Sequence, residues 1–227
     1  MNLKWKVAAI VITLVTVMSG VTAFVINTTQ NTKEQNALIR VACVGDSITN
    51  MSGYPDSYSD NLWMLLGANY NISRFGVDGA TVTLGSERPY INQIELQKAK
   101  DFQPKIVIIM LGTNDARPDL HRFNGSFVED YERLIAEFEV LPSKPKIWIV
   151  EPPPIFHNGT GLSTEFFDKN IIPNIQQVAK ETNLPIVDVY SALACHEDYF
   201  WDGVHPRIEG SKVIADEIYK ALISSIT

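Results

Sequence analysis

The chain has 227 residues, enough for one domain of ordinary size and a short additional segment. Hydrophobic residues make up 45% and charged residues 20%, a balance that excludes a disordered chain and supports a core that needs no staples. A formal net charge of −7, with no run of Lys or Arg longer than two, excludes the clustered positive surface that nucleic acid requires.

At the N-terminus, Lys4 and Lys6 precede an uncharged run over residues 7–26, and no charge follows until Lys33. The length of the run suits a bilayer crossing better than a short signal core, whereas Val21-Thr22-Ala23 offers small residues at cleavage positions. Residues 1–29 therefore read as a signal anchor or a signal peptide, with the anchor preferred. Either reading keeps the lysines on the cytoplasmic side and puts the remainder outside the cytosol, secreted or held at the membrane through an uncleaved N-terminal helix. Sequons begin at Asn27, Asn50, Asn71, Asn124 and Asn158, compatible with glycosylation and also with chance enrichment in an Asn-rich chain. The polar, aperiodic stretch 30–37 reads as a linker, and 38–227 as the domain.

Within that domain, apolar runs at 38–44, 70–75, 106–111, 147–150 and 186–189 read as strands. Most lack polar alternation, which predicts a sheet covered on both faces. Amphipathic stretches at 58–66, 91–101, 127–138, 166–182 and 212–223 read as helices between and after them. Pro104, Pro145 and Pro185 stand just ahead of strands, where a missing N–H does little harm, while Pro173 predicts a kink or split in the fourth helical stretch. The alternation predicts an α/β fold: a three-layer α/β/α domain with a mostly parallel sheet and ligand-binding residues at the carboxyl ends of its strands. Cys43 and Cys195 form no Cys-x-x-Cys or Cys/His cluster, so a structural zinc site is not expected; a disulfide between them stays open.

Four segments that follow strands carry chemistry. Val44-Gly45-Asp46-Ser47-Ile48-Thr49 puts Ser47 at a strand end, where its hydroxyl is exposed and backbone N–H groups converge. The same residues also fit a turn with a capping serine, and Thr49 stands where a Gly-x-Ser-x-Gly elbow would have its second glycine. Phe75-Gly76-Val77-Asp78-Gly79-Ala80-Thr81 is either a plain loop or one whose glycine turns an N–H into a pocket. Leu111-Gly112-Thr113-Asn114-Asp115 offers an amide donor for an oxyanion and a carboxylate to hold the loop, or simply a turn rich in Asx chemistry. Trp201-Asp202-Gly203-Val204-His205-Pro206 offers an imidazole to accept the serine proton and a carboxylate to fix its tautomer, or a surface Asp and a loop His. His121 and His157 read as loop histidines, and His196 and Asp198 as rim or solvent residues. Asp188 is a strand-end residue that supports its neighbourhood, and Glu151 a candidate for the pocket mouth.

Taken together and in this order, the four blocks resemble the signature of the SGNH/GDSL hydrolase superfamily. The resemblance covers about residues 38–225, including Tyr54-Pro55 ahead of the first long helix. It implies a flavodoxin-like five-stranded parallel sheet in order 2-1-3-4-5. It implies Ser47 as nucleophile, His205 as base and Asp202 as its orienting partner, with an oxyanion hole from the Ser47 N–H, the Gly79 N–H and the Asn114 side chain, and neither metal nor other cofactor. Two departures stand out: Ile48 replaces the leucine of the family's common name, and Asp78 occupies a place where a small residue is usual. Residues 108–111, 141–145 and 200–206 are most similar to acetylesterases acting on sugars. The expected activity is thus a serine esterase that cleaves short-chain, chiefly acetyl, esters of small molecules or glycans through an acyl-enzyme. A lysophospholipase- or thioesterase-type lipid hydrolase is the alternative, and a catalytically silent or acyl-transferring relative the third reading. Oligomeric state is not legible.

Overall fold

A computed structural model describes residues 38–51, 57–157 and 159–224; the 1–29 and 30–37 segments, Tyr54-Pro55 and the sequons at Asn27 and Asn158 lie outside the described residues. Five strands, β1 (Ile39–Gly45), β2 (Tyr70–Gly76), β3 (Ile106–Met110), β4 (Lys146–Glu151) and β5 (Ile186–Asp188), form one parallel sheet in order β2-β1-β3-β4-β5. The helices are α1 (Ser47–Asn50), α2 (Tyr58–Leu66), α3 (Ile94–Asp101), α4 (Phe127–Glu139), α5 (Ile172–Thr182), α6 (Val189–Leu193) and α7 (Ile208–Ser224).

Side chains alternate across a strand, so runs apolar at every position must feed two cores. Ala42, Val44, Val107, Ile109, Ile147 and Ile149 face one core, which α3, α4 and α5 cover with Leu96, Tyr131, Leu134, Ile135, Ile175 and Val178. Val41, Cys43, Ile108, Met110, Trp148 and Val150 face the other, covered by α2, α6 and α7 through Tyr58, Leu62, Leu193, Ile214 and Ile218. Each of these large side chains is buried, worth about 1.5–3 kcal/mol relative to exposure. The result is the α/β/α sandwich that the pattern predicts.

The helical stretches depart from expectation in detail. Residues 91–101 divide into a 3₁₀ turn, Tyr90–Asn92, and α3. Residues 166–182 divide into a short turn Thr164–Phe166, a π-helical segment Phe167–Ile171 and α5. Pro173 explains this break, because its missing N–H and its ring interrupt the regular ladder of the preceding turn. The last helix starts at Ile208, just after Pro206, rather than at Lys212. Strand β5 stops at Asp188 because that side chain accepts the Ser191 N–H at 2.8 Å and caps α6, a helix too short to leave a periodic signal.

Cys43 is buried in β1, its thiol pushed up to about 12 by burial, and Cys195 is exposed; both are free, so the disulfide left open by the sequence does not form. Among the described residues no helix is long and apolar enough to cross a membrane. The chain leaves β1 toward β2 and leaves β3 toward β4, on opposite sides of the sheet. Loops that part in this way open a crevice at the carboxyl ends of β1 and β3.

Candidate active site

Strand β1 delivers Ser47 to the edge of that crevice. Gly45 is needed here for a close approach rather than for its dihedrals: a Cβ would stand 2.1 Å from Thr49 Oγ1 and 2.7 Å from the Met110 carbonyl oxygen. Gly76 has the same role, since a Cβ would meet the Asn50 nitrogen at 2.2 Å. The two glycines let α1 lie directly on the strand ends. Asp46 caps that helix, its Oδ1 accepting the Ile48 N–H at 2.9 Å, and Met51 closes it in the left-handed region at φ 38°. Ser47 therefore occupies the first turn, where free N–H groups and the helix dipole favour a developing negative charge.

The loop between α6 and α7 brings in the partners. His205 Nε2 lies 2.9 Å from Ser47 Oγ, and His205 Nδ1 lies 2.7 Å from Asp202 Oδ2. The other carboxylate oxygen, Oδ1, accepts the backbone N–H groups of Val204 and His205 at 3.0 and 2.8 Å. One carboxylate thus shapes its own turn and fixes the imidazole, so that Nδ1 carries a proton toward Asp202 and Nε2 is left as an acceptor for the serine hydroxyl. Burial alone would raise the Asp202 pKa, but the N–H groups of His205 and Val204 together with the imidazole outweigh it and hold the carboxyl below the usual range. Gly203, at φ 82°, supplies the left-handed step that lets the turn close.

The two remaining blocks meet on the opposite wall. Asp115 Oδ2 accepts the Val82 N–H at 2.9 Å, and its Oδ1 accepts the N–H and hydroxyl of Thr83 at 2.9 and 2.5 Å. This clamp ties the loop after β3 to the loop after β2, which contains Gly79 at φ 72°. Asn114 Nδ2 donates to the Ala80 carbonyl at 3.0 Å and leans toward Asp46 Oδ2 at 3.4 Å. Burial lifts both Asp46 and Asp115 to about 6, against the hydrogen bonds that each accepts.

Ser47, Gly79, Asn114, Asp202 and His205 all line one cleft of about 440 Å³. The sequence did not single out Met51, Arg117, Thr160, Leu162 or Trp201, which line it too. Asp78 also borders the cleft, its carboxylate accepting the Asn50 amide at 2.8 Å. His121, expected in a loop, lies in a 3₁₀ helix, Pro118–Ser126, and stacks on Phe166, while His196 stacks on Tyr199 and is absent from the cleft lining.

Glu151 is absent from the cleft lining, contrary to its candidate place at the pocket mouth. Its side chain is buried and accepts the Gln176 amide at 2.8 Å on the α5 side. It lies beside Asp188, its partner in the β4–β5 register. Burial, reinforced by Asp188, pushes Glu151 up to about 7, whereas Asp188 is held low despite its burial by Ser191 and by Glu151. The shared proton therefore resides on Glu151. A carboxyl whose pKa is raised on folding stabilises fully below its unfolded value, near 4.5, and loses that contribution as pH rises through the folded value, about 7. Replacing Glu151 with Gln keeps an acceptor for Gln176 and a donor for Asp188. Between pH 5 and 8 the variant is expected to lose about 1–3 kcal/mol less stability than the parent, read from denaturant midpoints at both pH values.

Residues 43–213 match the model of the GDSL-like lipase/acylhydrolase family, and the chain belongs to that family. An acetylxylan esterase of Xylanibacter ruminicola is 32% identical over 206 residues, covering 81% of this chain and 43% of that protein. The chain thus spans less than half the length of that relative. Among solved structures, a carbohydrate acetylesterase family member from Sinorhizobium meliloti aligns with a TM-score of 0.61 at 21% identity, covering 82% of this chain and 98% of the other. The aryl esterase of M. smegmatis aligns with a TM-score of 0.62 at 18% identity, covering 82% and 98%. At such identities the likeness is one of fold.

Proposed function

We propose that the domain hydrolyses short-chain esters, chiefly acetyl groups carried on carbohydrate, with Ser47 as nucleophile, His205 as general base and Asp202 as the carboxylate that orients it. The observation that carries this reading is the unbroken relay from Ser47 Oγ through the His205 ring to Asp202, at 2.9 and 2.7 Å, inside a cleft. In the first step Ser47 Oγ attacks the ester carbonyl and its proton passes to His205 Nε2. The imidazolium then returns that proton to the leaving alkoxide as the carbon–oxygen bond breaks, which leaves an acyl-serine. Water, deprotonated by the same nitrogen, attacks this ester, and the acid departs with the serine regenerated.

Both tetrahedral intermediates place a negative oxygen between the Ser47 N–H, the Gly79 N–H and the Asn114 amide. One amide hydrogen of Asn114 is spent on Ala80. The other meets Asp46 only at 3.4 Å, too long to hold it against an oxyanion. Asn114→Ala is expected to lower kcat by about 10²–10³-fold with little change in KM, measured by steady-state hydrolysis of p-nitrophenyl acetate.

For the acyl group and the alcohol, support comes from the acetylxylan esterase relative and from Trp201. The latter is 56% exposed at the cleft edge and backed by the Arg207 guanidinium at 4.2 Å. A flat indole beside the catalytic turn is a surface on which a sugar ring can pack. Acetyl, butyryl and decanoyl p-nitrophenyl esters, with acetylated xylan alongside, test the reading. The expected order is acetyl fastest with acetate released from the polysaccharide, and a rate that climbs toward decanoyl would favour the lipid hydrolase instead. An extracytosolic location belongs to the same proposal, on the support of Lys4 and Lys6 ahead of the uncharged run 7–26.

A further inference from the structure

The end of the sheet opposite the cleft carries an uneven share of exposed apolar surface. Nine large hydrophobic side chains are exposed among the described residues, and six of them, Trp63, Met64, Leu65, Val140, Ile186 and Ile223, stand at this end. The first three form the last turn of α2, which is fixed beside the strand starts: the Gly67 N–H donates to the Trp63 carbonyl, the Tyr70 N–H to Gly67 and the Ile39 N–H to Asn69. Val140 ends α4 just ahead of β4, Ile186 opens β5, and Ile223 lies in the last turn of α7. Ile94 and Ile208 instead open α3 and α7, and Trp201 belongs to the cleft.

At the same end lies a hollow of about 480 Å³, lined by Ile39, Tyr70, Ile106, Trp148 and Leu222 together with Lys105, Lys144 and Lys146. Among the described residues no carboxylate lines it, although the chain as a whole is acidic. Ser143 borders the hollow with a buried hydroxyl that has no hydrogen-bond partner among the described residues. Lys105 Nζ donates to the Ser143 carbonyl at 3.1 Å, which holds that lysine at the rim.

We propose that this end of the domain is a membrane-contact face, with Trp63, Met64 and Leu65 entering the interfacial layer of a lipid bilayer and Lys105, Lys144 and Lys146 taking its anionic headgroups. Three things select lipid over other occupants. An indole flanked by aliphatic side chains, at the same end of the sheet as three lysines, is the composition that settles at the boundary between headgroups and acyl chains. Lysines around a hollow whose described lining holds no carboxylate are attracted to an anionic leaflet that would repel the rest of this acidic chain. And Ile39, through which the preceding residues join the sheet, opens β1 at this same end, with the uncharged run 7–26 in the sequence ahead of it. The cleft then faces away from the bilayer, toward substrates in the surrounding medium.

Tryptophan fluorescence of the full chain tests the proposal, in vesicles of phosphatidylcholine with and without phosphatidylglycerol whose acyl chains carry bromine as a quencher. The sequence has four tryptophans, so Trp63 emission is isolated by subtracting the signal of Trp63→Phe from that of the parent. That difference signal is expected to shift to shorter wavelength and to fall at least about twofold with brominated phosphatidylglycerol vesicles, as for an indole at the headgroup boundary. Neutralising the rim as Lys105→Gln/Lys144→Gln/Lys146→Gln is expected to return the quenching to its level in pure phosphatidylcholine, while p-nitrophenyl acetate hydrolysis, read as a check on folding, stays at the parent rate. Three results would overturn it. One is a difference signal that bromine leaves untouched; another is quenching equal in both lipids and in the triple variant. The third is Trp63 burial in lipid-free detergent that rises with protein concentration, which would mark a second copy as the occupant.

Discussion

Ser47→Ala is expected to lower kcat for p-nitrophenyl acetate by at least about 10⁴-fold, to a residual rate sustained by binding and the oxyanion donors alone. In the proposed reaction the serine hydroxyl is the group that gains a bond to carbon, and among the described residues no other hydroxyl is bonded to His205 Nε2. Thr49, the nearest hydroxyl in sequence, is buried and engaged with Tyr58 at 2.9 Å. The fold should be indifferent to the change. Helix α1 is capped by Asp46 rather than by Ser47, and the serine hydroxyl has His205 as its partner. Loss of one such part-buried hydrogen bond costs about 0.5–1.5 kcal/mol, small enough that a thermal melt close to the parent's would accompany the collapse in rate. A melt displaced by tens of degrees would instead assign Ser47 a structural role.

Asp202→Asn is expected to cost about 10⁴-fold in kcat while leaving the turn intact, as in triads of the same chemistry. The asparagine oxygen can still accept the N–H groups of Val204 and His205, the bonds that shape the loop. Its amide would then face His205 Nδ1, and an amide can only donate there. The imidazole must respond by carrying its proton on Nε2, the nitrogen that has to be free to receive the serine proton. The chemistry fails through the wrong tautomer rather than through displaced atoms. Substrate affinity should change little, so the loss is expected in kcat rather than in KM, and Asp202→Ala, which also frees the two N–H groups, should lower the melting temperature as well.

How far the sequence foretells this arrangement depends on whether each cause is local. Asp202 and His205 are three residues apart across a glycine turn, so their contact is written into a single hexapeptide. The five strands are legible because residues apolar at consecutive positions need two covered faces, and the order of the sheet follows from the family resemblance. Other features depend on partners distant in the chain. The need for glycine at 45 and 76 comes from close approaches to Met110 and Asn50, which no turn pattern reveals. Glu151 stands at a strand end, as the rule for ligand sites asks, but its side chain falls toward α5, a choice set by strand register rather than by position along the strand. Trp201, Arg117, Thr160 and Leu162 reach the cleft from loops, where no periodicity marks a facing direction. Pro173 foretold a break in its helix, while the form of that break, a π-helical segment followed by a resumed helix, reflects packing of Phe167 and Ile171 into the core.

The proposed reaction requires an activated hydroxyl at position 47, and active-site trapping tests that most directly. Incubation with a fluorophosphonate followed by peptide mass spectrometry should find a single adduct, on Ser47, in the parent chain. The adduct should be absent or slowed by orders of magnitude when His205 is replaced by Ala, because the hydroxyl then lacks its base. Stoichiometric labelling of another serine, or labelling of Ser47 at an undiminished rate without the imidazole, would contradict it.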